Sequence, residues 1–237
     1  MEATTSDPPS ILDWTPYQVS ESTHRWIAIR AVEKLKKDGL TKWYNTAQKY
    51  SYWLYKGVDD ADKGQGAYTG HFYSPKTKKN YVGGTDTALK RMKNFFEKAV
   101  GLFNKNKHYA FYNLGFSLHY LQDLGNPAHA SNNIAPITAH SEFEEDADWY
   151  KNNFEKELSI AKTKIYYGLK NLEDFGHSVA VQSSRYAYVL DDRTDVAQHS
   201  LNPEWWHKVI RITLKQSQVD SAKLLAYFFA KQKIAPK

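Results

Sequence analysis

The apolar positions of this chain recur over most of its length with the 3.6-residue period of amphipathic helices. In the first such stretch, HRWIAIRAVEKLKK, the side chains of Trp26, Ile29 and Val32 fall on one face, and capping residues precede them. The same reasoning predicts helices over residues 24–37, 41–56, 86–105, 108–124, about 140–169, 173–190 and 203 to about 232. We therefore predict an all-α fold, a single domain of about seven to eight helices.

Residues 58–84 are the long exception to this pattern. They are rich in Gly, Asp, Lys and Tyr and have no clean period of either 2 or 3.6 residues. Long ordered loops in compact domains are commonly functional, so this segment predicts one wall of a site. It contains Asp59, Asp60, Asp62 and His71.

The stretch HYLQDLGNPAHASNNIAPITAHSEFE, residues 119–144, concentrates residue types that bind metals. His119 and Asp123 are four apart in a predicted helix, so both project from one face, and His140 and Glu144 repeat this relation. An Asn-Pro helix stop and His129 lie between the pairs. Imidazole and carboxylate groups are zinc ligands, at about 2.0–2.2 Å. Either pair alone could be a hydrogen-bonded core pair, but together they favour a metal centre.

Composition excludes some classes of protein and leaves others open. The chain of 237 residues has no evident linker, which favours one domain, and it has 12 glycines and 8 prolines, few enough to favour helices. It has no cysteine, which excludes disulfides, thiolate metal sites and cysteine nucleophiles. A net charge of +6 is compatible with nucleic acid, with anionic lipid or with neither.

The first thirteen residues, MEATTSDPPSILD, are polar and contain two adjacent prolines. We expect residues 1–13 to be a flexible leader or the remnant of a pro-segment, followed by a domain over residues 14–237. The leader lacks the charged start and apolar run of a signal peptide. No uninterrupted apolar stretch in the sequence is long enough to span a bilayer.

Four segments, in order along the chain, closely resemble the bacterial zinc-dependent phospholipases C: THRWIAIRAV, GHFYSPKTKKNY, FYNLGFSLHYLQDLGNPAHASN and HSEFE. The resemblance implies the helical fold that this family shares with zinc nucleases, and it implies three zinc ions. The ligands implied for the first zinc are Asp59, His71, His119 and Asp123, and those implied for the second are His129, His140 and Glu144. Asp59 is preferred over Asp60 because its distance from His71 fits the family.

The third zinc implied by the resemblance is held by His24, by a bridging Asp123 and by the amino-terminal Trp of the mature chain. The corresponding residue is Trp14, whose nitrogen is an amide here because thirteen residues precede it. Either the leader is removed after Asp13, or this third site is weakened, absent or differently ligated. We expect removal of residues 1–13 to raise zinc content and activity.

The resemblance further implies a secreted enzyme. Its implied substrate is a phospholipid at a membrane or micelle surface, and no protein partner is implied. Glycerophospholipids would be cleaved to diacylglycerol and a phosphorylated head group, and we expect a monomer. Asp59 is the candidate for orienting or deprotonating the attacking water. Tyr17, Asp60 and Tyr68 are the candidates for lining the head-group pocket.

Two other functions remain open from the sequence. The single-strand-specific zinc nucleases and nucleotidases share the fold and a similar metal centre, and a basic surface suits nucleic acid. The second alternative is a helical domain that is stabilised by metal and binds membranes without catalysis. Assays on lipid and on denatured DNA separate these functions.

Overall fold

A computed structural model describes residues 21–63, 67–135, 137–162, 169–190 and 203–236. These residues form nine α-helices: α1 Thr23–Lys37, α2 Thr41–Lys49, α3 Ser51–Asp60, α4 Ala67–Gly70, α5 Ala88–Leu102, α6 Lys107–Leu124, α7 His140–Asn153, α8 Leu172–Ser184 and α9 Pro203–Lys231. Shorter 3₁₀ turns lie at Ala61–Lys63, His129–Ser131, Glu155–Leu158 and Ala187–Leu190. Over these ranges the only β pairing is an isolated bridge between Ser74 and Lys79, so the all-α prediction is confirmed.

Polar caps define where several helices begin. The side chain of Ser22 accepts a hydrogen bond from the backbone N–H of Arg25 and caps α1. Thr87, Asn106 and Asn171 cap α5, α6 and α8 in the same way. Each cap satisfies a backbone donor that has no partner within its helix.

The structure corrects several predicted helix boundaries. The helix predicted over 41–56 is two helices, which meet at Tyr50, and the second continues to Asp60. Tyr50 stacks on Phe111 of α6 with ring centroids 4.8 Å apart, so a tertiary contact accompanies the break. The helix predicted to reach about residue 169 ends at Asn153, and that predicted to reach 190 ends at Ser184. The predicted leader, 1–13, lies outside the described residues.

Buried apolar side chains form two clusters. The larger involves α2, α3, α5, α6, α8 and the carboxyl-terminal half of α9, with Trp43, Phe111 and Phe228 among its largest members. The smaller is built on α7 and the amino-terminal half of α9, and includes Phe143 and Trp206. Helices α1 and α9 contribute to both clusters, and α9 is about 43 Å long at 1.5 Å per residue.

Helices α3 and α6 cross at two glycines. A Cβ atom on Gly57 would collide with the backbone of Tyr112, and one on Gly115 would collide with the backbone of Leu54 and lie 2.9 Å from Gly57 Cα. The two backbones therefore approach more closely than any side chain permits. This approach brings the carbonyl group of Val58 next to α6.

Among the helices that the structure describes, none is both long enough and apolar enough to cross a membrane.

Candidate metal centre

Three groups of potential metal ligands occur among the described residues, and in each group the candidate donor atoms lie within 4.8 Å of one another. The first group is His24, His119 and Asp123, the second is Asp62, His71 and His119, and the third is His129, His140 and Glu144. These side chains come from α1, from the segment between α3 and α5, from α6, from the turn that follows α6, and from α7.

Asp123 of α6 connects the groups. Its Oδ2 lies 2.7 Å from Nδ1 of His71, and its Oδ1 lies 3.5 Å from Nε2 of His24 and 4.0 Å from Nε2 of His129. Both Asp123 and His119, one helical turn away, are completely buried. A single carboxylate therefore faces histidines from all three groups.

The backbone fixes which nitrogen of His119 faces the site. Nδ1 lies 3.0 Å from the carbonyl oxygen of Val58 and must carry the proton that it donates there. In the neutral ring the lone pair is then on Nε2, which lies 3.1 Å from Nδ1 of His71 and 3.2 Å from Oδ1 of Asp62. The close crossing of α3 and α6 thus orients a ligand.

Two further histidines are oriented in the same manner. Nδ1 of His140 donates to the carbonyl oxygen of Asn133 at 2.8 Å, and Nδ1 of His24 donates to Oε1 of Gln122 at 2.8 Å. Each ring therefore directs its Nε2 lone pair into the site. Histidines that bind metals commonly donate their second ring N–H to an oxygen acceptor in this way.

The third group is arranged around Glu144. Its Oε1 lies 3.1 Å from Nε2 of His129 and 3.0 Å from Nε2 of His140, and it accepts a hydrogen bond from Nδ2 of Asn126 at 2.9 Å. The rings of His129 and His140 are nearly perpendicular, with centroids 4.7 Å apart. Two imidazoles and one carboxylate thus converge on one small volume.

The ionisable groups shift one another's pKa values strongly. Burial alone would raise the pKa of Asp123, but its histidine neighbours outweigh burial and hold that pKa far below its ordinary value. The pKa of Glu144 is likewise held well below its usual range, because the effect of the adjacent His129 and His140 outweighs that of burial. Burial, reinforced by His24, lowers the pKa of His119 and favours its neutral form. The site therefore favours anionic carboxylates and a neutral His119, the forms that bind metal.

One buried atom supports the fit of a metal to this arrangement. Oδ1 of Asp123 is buried and has no hydrogen-bond partner among the described residues, although it faces Nε2 of both His24 and His129. Buried polar atoms are nearly always paired, and an unpaired carboxylate oxygen is costly. A divalent cation between these donors satisfies the oxygen and the facing lone pairs together, so the residues fit zinc.

Asp59 belongs to none of the three ligand groups, whereas Asp62 lies with His71 and His119 in the second group. Because α3 continues to Asp60, the carboxylate of Asp59 turns towards Nη1 of Arg25 at 3.2 Å and Oγ of Ser22 at 3.3 Å. Asp62 lies one turn further on, beside His119. Its side chain is 62% exposed, so it faces both the ligands and solvent.

The expected head-group residues differ in position. Tyr68 lies on the wall of the cleft described below and is 53% exposed. Asp60 lies away from it, bound to Lys56 at 2.6 Å and to the hydroxyl of Tyr112 at 3.1 Å. The expected residues Tyr17 and Trp14 lie outside the described residues.

An open cleft of about 950 Å³ exposes the centre to solvent. It is lined by members of all three ligand groups and by apolar side chains that include Ile27, Phe143 and Leu214. A volume of this size is typical of a ligand site with a few converging polar groups.

Gln122 is a functional candidate that the sequence analysis did not identify. It is almost completely buried, accepts the His24 hydrogen bond through Oε1, and donates to Oγ of Ser221 at 3.3 Å through Nε2. The available signal was a polar residue directly before Asp123 on a largely buried helix. For Asp62, the signal was its presence in the segment predicted as a site wall.

The sequence of this chain matches a known protein family. A family model described as zinc dependent phospholipase C matches residues 23–218. The match spans most of the chain, and the chain belongs to this family. The predicted family resemblance is thus confirmed.

Named relatives agree with this assignment. A phospholipase C of Bacillus cereus is 29% identical over 188 residues, which cover 73% of this chain and 65% of that protein. A phospholipase C of Listeria monocytogenes is 26% identical over 243 residues, covering 94% of this chain and 83% of that protein. The chain therefore spans slightly less than two thirds of the length of the Bacillus cereus relative.

Solved structures show the same fold. The alpha toxin from Clostridium absonum matches with a TM-score of 0.75 and 21% sequence identity, covering 92% of this chain and 65% of that chain. The alpha-toxin of Clostridium perfringens matches with a TM-score of 0.72, covering 94% of this chain and 66% of that chain. At this level of identity the likeness concerns the helical architecture.

Proposed function

We propose that this protein is a zinc-dependent phospholipase C that cleaves glycerophospholipids to diacylglycerol and a phosphorylated head group. The observation that carries the proposal is the set of three ligand groups that meet at Asp123 along one open cleft. Membership of the zinc-dependent family and relatives named phospholipase C support it. We infer that the protein acts on lipid surfaces outside the cell, as a monomer.

The three groups correspond to three proposed zinc sites that share residues. His119 belongs to two groups, and Asp123 faces the third as well as its own. Bound zinc ions supply charge that stabilises the phosphate oxygens and lowers the pKa of bound water. The third site is the one at His24, where the described residues supply three ligands.

The chain's own residues position the reactants. Asp62 presents a solvent-facing carboxylate beside His119, and we assign it the role of orienting or deprotonating the attacking water, a role expected of Asp59 from the resemblance. Asp123 and Glu144, held as anions, fix the histidines around them. Tyr68 offers an aromatic face on the cleft wall, which suits a quaternary ammonium head group such as choline.

A matched pair of substitutions tests the assignment of Asp62. We expect Asp62→Asn to lower phospholipid turnover at least about 100-fold and to weaken zinc binding, because it removes a charged ligand and the candidate base. Asp59→Asn should retain most of the activity, because its carboxylate bonds to Arg25 and Ser22 outside the ligand groups. Turnover of a short-chain phosphatidylcholine and zinc content by elemental analysis are the measurements. Loss of activity in Asp59→Asn with none in Asp62→Asn would restore the original assignment.

The proposed reaction itself is tested by parallel assays of the zinc-loaded protein. Phosphatidylcholine, phosphatidylethanolamine and sphingomyelin in mixed micelles form one arm, and denatured DNA forms the other. We expect release of phosphorylated head groups, with His119→Ala inactive. Turnover of DNA without turnover of any lipid identifies a nuclease. Lipid binding that survives His119→Ala with no turnover by either protein identifies a non-catalytic membrane-binding domain.

A further inference from the structure

Three large apolar side chains stand exposed close to the metal cleft. Tyr68 is 53% exposed, Val82 64% and Ile137 69%. Single exposed apolar residues are common on protein surfaces and need no explanation. These three, however, belong to segments that contact one another.

The segment that carries Val82 is joined to the cleft wall by its neighbour Tyr81. The ring of Tyr81 lies edge-on to that of Tyr68, with centroids 5.7 Å apart, and edge-on to that of Phe72 at 4.9 Å. Both Tyr68 and Phe72 line the cleft. Val82 therefore projects from a segment packed directly behind the cleft wall.

The segment that carries Ile137 reaches the same wall. The backbone of Ala135 lies beside the hydroxyl group of Tyr68. Nearby, Nδ2 of Asn132 donates to the carbonyl oxygen of Lys79 at 3.2 Å, which ties this segment to the turn at residues 74–79. Ile137 also lies three residues before the ligand His140.

Positive charge is concentrated on the adjacent turn. The turn is closed by the Ser74–Lys79 bridge and carries three exposed lysines, Lys76, Lys78 and Lys79. Among the described residues none of these lysines forms an ion pair with a carboxylate.

Two carboxylates in this region are already engaged. Asp86 pairs with Nη2 of Arg91 at 2.6 Å, and Glu173 pairs with Nζ of Lys93 at 2.5 Å. Lys78 also lies near Glu173, whose carboxylate is already paired with Lys93. The net charge of the lysine-bearing turn therefore remains positive and can attract an external anionic partner.

We propose that these residues form a docking rim that seats the cleft on a bilayer containing anionic phospholipids. The docking rim consists of Tyr68, Val82 and Ile137 with Lys76, Lys78 and Lys79. The inference identifies the surface that binds the membrane. It rests on the proposed function only in that docking would bring the cleft to a lipid substrate.

The physical basis is the combination of apolar contact and charge at one edge of the site. Aliphatic and aromatic side chains of this kind enter the interfacial region of a bilayer, and an adjacent lysine gains from the negative surface potential of anionic lipids. The electrostatic attraction decays within a Debye length, about 10 Å at 0.1 M salt, so it acts only when the rim is close to the membrane. Neutral bilayers retain the apolar contact alone.

Vesicle cosedimentation measures the docking directly. The zinc-loaded protein is mixed with vesicles of a phosphonate analogue of phosphatidylcholine, in which carbon replaces the ester oxygen towards glycerol, so the vesicles are not consumed. A second set contains about 30% of an anionic phosphonate lipid, to supply the surface potential that attracts lysines. We expect the wild-type protein to bind the anionic vesicles at least about tenfold more tightly than the neutral ones.

Two triple variants with equal change of charge separate the rim from net charge. The rim variant is Lys76→Glu, Lys78→Glu and Lys79→Glu, and the control variant is Lys42→Glu, Lys98→Glu and Lys105→Glu, at exposed positions that do not line the cleft. The rim variant should lose the preference for anionic vesicles, and the control should retain most of it. A further variant, Val82→Ser with Ile137→Ser, should weaken binding to both vesicle sets.

The proposal is wrong if the rim variant binds anionic vesicles as tightly as the wild type does. It is also wrong if the control variant loses as much binding as the rim variant, because the effect would then be one of net charge alone. Denatured DNA is added as a competitor, and a rim that binds DNA more tightly than anionic vesicles also overturns it. Hydrolysis of a monomeric short-chain phosphatidylcholine reports folding and catalysis separately, and it should be unchanged in both triple variants. Absence of all lipid turnover contradicts the proposed function while the vesicle result still decides the docking rim.

Discussion

At the scale of single residues, Gln122 shows how a neutral side chain determines the chemistry of its neighbour. Because its Oε1 accepts the proton on Nδ1 of His24, the other nitrogen of that ring faces Asp123. Its amide nitrogen is held in turn by Ser221 of α9, so three helices cooperate in the orientation. Gln122 is thus a positioning residue for the site at His24.

We expect Gln122→Leu to weaken zinc binding at that site about 10- to 100-fold, as loss of such a supporting acceptor commonly does. The substitution removes the acceptor and retains much of the buried volume. Competition with a chelator of known affinity measures the effect, and Gln48→Leu, at an exposed position on α2, is the control. Unchanged affinity in Gln122→Leu would show that the His24 ring is oriented by other contacts.

Some residues of the metal centre could be predicted from the sequence, and others could not. The pairs His119/Asp123 and His140/Glu144 were predictable because four-residue spacing in a helix places two side chains on one face. The position of Asp62 beside His119 was not predictable, because it depends on how far α3 continues into a segment without clear periodicity.

At the scale of helices, the crossing of α3 and α6 links packing to chemistry. Gly57 and Gly115 allow the backbones to approach, and this approach places the Val58 carbonyl within hydrogen-bond distance of His119. The amphipathic period predicted that both segments are helical. It carried no information about the crossing, because the contact is made by residues without side chains.

Gly115→Ala tests this crossing. We expect a loss of about 2–3 kcal/mol in the free energy of unfolding, because the added methyl group meets backbone atoms that cannot yield without separating the helices. Gly101→Ala in α5 is the control, since its methyl group meets nothing within 4 Å, and it should stabilise the protein by about 0.5–1 kcal/mol. Chemical denaturation measures both. Equal effects of the two substitutions would contradict the close approach.

Helix α9 contains a buried carboxylate that should make stability depend on pH. Burial raises the pKa of Asp220 above its ordinary 3.8, although Nζ of Lys223, 2.8 Å away, opposes the shift. A carboxyl group whose pKa is higher in the folded than in the unfolded protein loses stabilisation as pH rises through the folded-state pKa. The folded protein therefore bears this cost at neutral pH and not in acid.

We expect Asp220→Asn to gain stability relative to the wild type as pH rises from 3.8 to neutrality, because the amide stays neutral throughout. Thermal unfolding of both proteins across this range is the measurement. Glu97→Gln, at an exposed position, serves as the control and should show a smaller change. A difference between Asp220→Asn and the wild type that is constant with pH would exclude the raised pKa.

At the scale of the whole molecule, the metal centre lies between the two apolar clusters. The ligands on α6 belong to an element of the larger cluster, whereas His140 and Glu144 are on α7, an element of the smaller one. Oδ1 of Asp123 faces His129 across this junction. A metal held by these residues would therefore connect the two apolar clusters, which otherwise share only α1 and α9 among the described helices.

We expect removal of zinc by a chelator to lower the midpoint of thermal unfolding by on the order of 10 °C, since a ligand bound only by the folded state stabilises that state. The loss of the link should also broaden unfolding or divide it into two transitions. Differential scanning calorimetry with and without zinc is the measurement, and readdition of zinc is the control. A single sharp transition at an unchanged temperature would contradict a metal at this junction.

The packing of α1 against α9 has a consequence for the order in which the chain can fold. Trp26 and Ile27, near the start of the described chain, share a cluster with Trp206 and Ile210, which are synthesised about 180 residues later. Contacts between such distant segments form slowly, because a long loop must close before they are made. Before α9 emerges, α1 can pack only against α7 in the smaller cluster, so completion of this cluster must await nearly the whole chain.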